Sequence, residues 1–185
     1  MKKNYLFTII AFTILFTNQG CKLIDKLTQF EISKTTNFTV PATSIISLPL
    51  PISNIVQPAP ISTNSSQTFA NNNTKADLIE KVLLKKLVLT IKSPSGQKFD
   101  FLQSADVYIN ADGLAELKVA SISNIDDATV GATVEMTPSG DDLKEYIKKD
   151  AITIRVAATA DKTTSSDINI EAKATLFVDA KILGI

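Results

Sequence analysis

Residues 151–182, AITIRVAATADKTTSSDINIEAKATLFVDAKI, carry the strictest pattern in the chain. Ile152, Ile154, Val156, Ala158 and Ala160 hold even positions, and Ile168, Ile170, Ala172, Ala174, Leu176, Val178, Ala180 and Ile182 hold them again. The residues between are mostly polar, among them Asn169, Glu171, Lys173, Thr175, Asp179 and Lys181. A period of two sends successive side chains to opposite faces, so each run reads as a strand with one buried face and one wet face. The polar link Lys162–Ser166 predicts that the two strands form a hairpin. The length of the second run predicts a bend or bulge within it. Phe177 stands alone on the polar face, either as a contact point or as an ordinary exposed aromatic.

Working outward from this stretch, more strands appear. Val82–Ile91 (VLLKKLVLTI) places Leu83, Leu87, Leu89 and Ile91 on one face and Leu84 and Val88 on the other. That predicts a strand buried on much of both sides. Phe30–Val40 alternates in part, and Phe99–Asn110, Leu114–Ile122 and Val130–Met136 add further strands. Thr43–Ile52 is apolar but contains Pro49 and Pro51, which lack a ladder donor, so it reads as an edge strand or extended segment. Ser93–Gly96 and Asn110–Gly113 read as turns. Residues 54–73 hold Pro58, Pro60 and three consecutive asparagines, and read as a loop, the longest candidate for recognition. Thr74-Lys75-Ala76-Asp77 has the form of a capping box and predicts a short helix over Thr74–Lys81. Leu143, Tyr146 and Ile147 recur at helical spacing within Asp141–Lys149, which begins acidic and ends in Lys148 and Lys149. Eight or so short strands with one or two brief helices define an all-β fold, an antiparallel β-sandwich. It is immunoglobulin-like in architecture only, since no Cys-Trp-Cys signature is present.

Composition narrows the chemistry. The chain has no histidine, no tryptophan and one cysteine. Lacking histidine, it lacks the commonest general base, the Ser-His and Cys-His pairs and the commonest zinc ligand. No P-loop, nucleophile elbow or dinucleotide fingerprint occurs. A calcium loop around Asn110–Gly113 would need acidic ligands where Tyr108 and Val119 stand. The pairs Asp126-Asp127 and Asp141-Asp142 read as loops bridged by calcium or, more simply, as a solvated turn and a helix start. Tyr108 and Tyr146 are too few for an aromatic glycan platform. No basic patch marks a nucleic-acid partner. No catalytic residue, metal ligand or cofactor is expected.

The N-terminus speaks to location. Lys2 and Lys3 precede the uncharged apolar run Tyr5–Phe16, then polar Thr17–Gln19, then Gly20 and Cys21. The run is shorter than the roughly 20 residues of a spanning helix and suits the apolar core of a signal peptide. Cys21 has no second cysteine to pair with. In these first 21 residues the chain resembles the lipoproteins of Gram-negative bacteria, although Asn18 stands where that family commonly has leucine. The resemblance implies cleavage between Gly20 and Cys21, a diacylglyceryl group on the Cys21 thiol and an acylated new amine. Several acyl chains hold a protein to a membrane far better than one. Other readings of the same residues are an ordinary secreted protein cut near Gly20 and an uncleaved anchor.

The expected organisation is a signal peptide over 1–20, a lipid-anchored tether over 21–29 and one domain over 30–185. Removing Lys2 and Lys3 from 19 basic and 19 acidic residues leaves 17 against 19. The stretch Lys22–Gln29 reaches at most about 27 Å, which keeps the domain near the lipid surface. Lys22 after the cysteine points to the outer membrane. The expected function is a membrane-anchored envelope lipoprotein acting as a non-enzymatic binding or structural module toward a protein or glycan. The alternatives are an envelope enzyme using carboxylates on glycan or peptide, and a membrane-inserting protein built on the Ile152–Ile182 hairpin.

Overall fold

The computed structural model describes residues 28–42, 50–56 and 61–181. Gly20, Cys21 and the rest of the lipoprotein-like stretch lie outside the described residues, as do the tether to residue 27, Pro49, Pro58, Pro60 and Ile182. Nine strands are present among the described residues: β1 (Gln29–Val40), β2 (Leu50–Val56), β3 (Ile61–Ser62), β4 (Ile79–Ser93), β5 (Leu102–Asn110), β6 (Leu117–Ser123), β7 (Thr133–Pro138), β8 (Ala151–Ala160) and β9 (Ile168–Ala180). They run antiparallel in the order β1-β9-β4-β7-β6-β5-β8-β2, with β3 also paired to β8. The described residues also form two short helices, α1 (Ser65–Ala70) and α2 (Lys144–Ile147), and a 3-10 turn at Ala76–Leu78. The chain is thus an antiparallel all-β sandwich with little helix.

The sheet turns a corner at β7. Its residues Thr133–Met136 pair with β4, whereas Thr137 and Pro138 pair with β6. The curl brings β1-β9-β4 over β5-β8. Between them lie Val82, Leu84, Leu87 and Leu89 from β4 and Ile168, Ile170, Leu176 and Val178 from β9. Ala105, Val107 and Ile109 of β5 and Val156 of β8 meet them. Each Val, Leu or Ile side chain among them contributes about 1.5–3 kcal/mol when fully buried. Phe99 and Phe101 are buried with their rings stacked, 6.1 Å between centroids.

Several expectations change. β8 and β9 do not form a hairpin: β8 pairs with β5, β2 and β3, and β9 pairs with β1 and β4. The link between them crosses from one layer to the other. Alternation specifies a buried face, and it is silent about which strand lies alongside. Of the bend or bulge expected in β9, no bulge is present; the bulges lie on its neighbour. β9 is unbroken, whereas β4 carries an extra residue at Glu80, Lys85 and Lys92. Each extra residue shifts the phase of β4. Leu84 therefore joins Leu87, Leu89 and Ile91 in the core, and Leu83 is turned to the other side, opposite Phe177.

The helices are shorter than the periodicity suggests. Over Thr74–Lys81 only Ala76–Leu78 is helical, because β4 already begins at Ile79. The Thr74 hydroxyl donates to the Lys181 carbonyl (2.7 Å) and caps no helix. Within Asp141–Lys149 the helix is confined to Lys144–Ile147, with Leu143 and Ile147 buried. Where a loop is expected over 54–73, the described residues contain the end of β2, β3 and α1. Pro51 lies in β2 at the sheet edge, the kind of strand that tolerates a residue without an amide donor.

Candidate functional site: an apolar cavity at the sandwich edge

The core-facing row of β9 runs Ile168, Ile170, Ala172, Ala174, Leu176, Val178. Two small residues interrupt it at the middle. Their register partners on β4 are Leu89 and Leu87. Across the layers stand Val107 and Ile109 of β5 and Ile152, Ile154 and Val156 of β8. The two alanines leave space between these aliphatic walls, and a cavity of about 340 Å³ results. Small-molecule sites commonly span about 300–1,000 Å³.

The polar side chains around the cavity come from two segments. One is the middle of edge strand β1, with Lys34, Thr35 and Thr36; the other runs from Ser62 to Thr68. Among the described lining residues only Lys34, Thr35, Ser62 and Asn64 are exposed, so the mouth lies between these segments. The register explains the opening. Lys34 and Thr36 hold core-facing positions on β1, directly beside Ala174 and Ala172. No acidic side chain is among the described lining residues.

The far rim is held by buried Thr63. Its hydroxyl donates to the Lys149 carbonyl (2.6 Å), and its amide donates to the Asp150 carbonyl (3.0 Å). Asn64 adopts left-handed backbone (φ 47°), a conformation asparagine tolerates, and α1 follows at once. Phe69 of α1 is fully buried and closes the cavity floor with Leu143 and Ile147.

A second cluster lies on the outer face of β5 and β8. Arg155 grips Glu116 with two bonds, Nε to Oε1 (2.8 Å) and Nη2 to Oε2 (2.6 Å). The guanidinium also lies over the Tyr108 ring, 4.0 Å from its centroid. The hydrogen bonds from Arg155 hold the Glu116 carboxyl below the ordinary glutamate range. Any stability from this pair is present at neutral pH and is lost as pH falls through the lowered Glu116 value. The geometry is that of a mutually satisfied surface clamp.

The acidic pairs serve the fold. Asp126 accepts from the Ala128 amide and the Thr129 hydroxyl, both at 3.0 Å, and so closes its own turn. Asp127 pairs with Lys162 (2.7 Å), which raises the lysine above its ordinary value. Asp142 accepts from the amides of Val82 (2.9 Å) and Lys144 (3.0 Å), tying α2 to β4. Among the described residues no three carboxylates or thiols gather as a metal site. Asn110–Gly113 is the β5–β6 hairpin turn, with Gly113 at φ 73°. Phe177 is half-buried on the outer face, opposite Glu31 and Leu83. Tyr146 donates to the Ala115 carbonyl (2.6 Å).

Sequence reasoning overlooked the cavity, though two signals bear on it. Ala172 and Ala174 interrupt a row of large side chains, and Lys34 and Thr36 interrupt the apolar face of β1.

No protein-family model matches the chain, and no curated protein matches it. Among solved structures it is similar to the decameric BFDV capsid protein, at 10% identity over 83% of this chain and 98% of that one, with a TM-score of 0.37. It is also similar to chains of Desmodium yellow mottle tymovirus (11% identity, 85% and 91% covered, TM-score 0.29) and turnip yellow mosaic virus (11%, 84% and 98%, TM-score 0.26). Scores this low carry no argument about function.

Proposed function

We propose that this chain is a non-enzymatic binding module of the bacterial envelope, anchored through lipid on Cys21, that takes an apolar small molecule into the cavity between its layers. The aliphatic cavity of about 340 Å³ is the observation that carries this reading. Each methylene moved from water into such a space contributes about 0.8 kcal/mol, so a modest apolar ligand needs few polar contacts. Carboxylate chemistry finds no support at this site, since the described lining residues include no acid. The anchor rests on Gly20-Cys21 and outer-membrane placement on Lys22, both from the lipoprotein resemblance.

The deciding experiment is a cavity-filling variant. Ala174→Leu adds three carbons to the wall between Leu87 of β4 and Lys34 of β1. Binding of an apolar fluorophore to the full chain is expected to weaken at least tenfold, while the melting temperature is kept. Unchanged affinity in a folded variant overturns the assignment of the cavity. For the anchor, Cys21→Ser is expected to abolish metabolic labelling by a fatty-acid analogue and to release the protein from membranes. Labelling equal to wild type refutes it.

A further inference from the structure

We infer that the cavity takes a single unbranched acyl chain whose anionic head group is held at the mouth by Lys34. This rests on the reading of the cavity as a binding site and adds the ligand class.

The shape of the space argues for the chain. The missing volume belongs to two successive core-facing positions of β9, Ala172 and Ala174, about 7 Å apart along the strand. It is therefore drawn out along β9 and flanked by large aliphatic side chains on both layers. Such a slot accepts a chain lengthwise.

The mouth argues for the head group. Lys34 holds a core-facing position beside Ala174, and its side chain is exposed. It has no ion pair or hydrogen bond among the described residues. No acidic side chain among the described lining residues stands by to neutralise it. Glu31, three residues away, alternates to the opposite face of β1 and pairs with Lys85. The other exposed groups at the mouth, Thr35, Ser62 and Asn64, are neutral and offer hydrogen bonds. A cation without a counter-charge beside an apolar slot matches a carboxylate or phosphate on an acyl chain.

A core-facing lysine on an edge strand also discourages pairing with other chains. That role needs only the charge and is indifferent to what enters the cavity. Head-group selectivity therefore separates the two.

The test uses the full chain in lipid nanodiscs and a fatty acid carrying a diazirine in its tail. Light-induced labelling is expected on the β4, β8 and β9 segments that line the cavity, and its loss is expected in Ala174→Leu. Unlabelled competitors then report the head group. Decanoate is expected to compete at least tenfold better than decanol, and decylamine worse than either. Lengthening the carboxylate from eight carbons should improve competition about fourfold per methylene until the slot is full. Lys34→Gln should bring decanoate and decanol within about twofold of each other while labelling persists. If decanol matches decanoate on the wild-type chain and labelling still falls in the cavity, the head-group inference fails and the apolar site stands. If labelling ignores Ala174→Leu, the cavity reading fails as well.

Discussion

β9 and β4 lie side by side over most of their length, yet only β9 keeps a strict period of two. From Ile168 to Ala180 every even residue faces the core, and its pairing with β1 runs without a break over twelve residues. β4 pairs with the same strand and drifts out of phase three times. Its core-facing residues are Ile79, then Val82 and Leu84, then Leu87, Leu89 and Ile91. The residues that absorb the drift, Glu80, Lys85 and Lys92, are charged and exposed. Two adjacent strands thus reach the same core by different routes. One alternates throughout, and the other inserts a solvent-facing residue wherever its apolar spacing widens from two to three. Bulges raise local twist, and those on β4 accompany the curl that carries the sheet over itself.

The sharpest way to break the comparison is to delete one residue from each strand. Removing Lys173 from β9 flips Leu176, Val178 and Ala180 outward with respect to β1 and β4. The expected outcome is loss of a cooperative unfolding transition, read by circular dichroism. A truncation of side chains ranks next. Ile170→Ala, at a buried β9 position, is expected to cost about 2–5 kcal/mol in denaturant unfolding. Leu83→Ala, on the outer face of β4, should cost about 1 kcal/mol or less. Equal costs would mean that the phase shift at Lys85 is misassigned. A comparably small effect is expected from deleting Lys85, on the order of 1 kcal/mol. That deletion straightens β4 and leaves Val82, Leu84 and Leu87 in unbroken alternation on the same face. An outcome as severe as loss of Lys173 would show that the bulge itself is required for the curl.

Much of the β4 geometry is legible in hindsight. In IEKVLLKKLVLTIKS the apolar residues step by three across Glu80-Lys81 and again across Lys85-Lys86. A doublet of charges inside an apolar strand is the signal of an inserted residue. Reading the segment with one fixed phase groups Leu83 with Leu87, Leu89 and Ile91 and sets Leu84 on the opposite face; in the structure Leu84 shares the face of Leu87 and Leu83 does not. The helical spacing around Leu143, Tyr146 and Ile147 was also real, but Asp142 spends its carboxylate on the Val82 amide as well as on the Lys144 amide. That ties the segment to β4 and leaves a single turn of helix. The candidate cavity was less legible, because its walls come from β1, β4, β5, β8 and β9.

What the residues determine alone is local: which positions are strand, which face of β8 and β9 is apolar, and where turns fall. Backbone geometry sets side-chain direction with a period of two wherever a strand forms, so faces can be read in one dimension. Strand partners cannot, since ladder hydrogen bonds join backbone groups common to every residue. Only the tertiary structure places β8 and β9 in opposite layers instead of one hairpin. Only it sets Lys34 and Thr36 beside Ala174 and Ala172, some 140 residues along the chain. The cavity exists because small side chains on one strand meet polar ones on its neighbour, a coincidence of register that only folding creates.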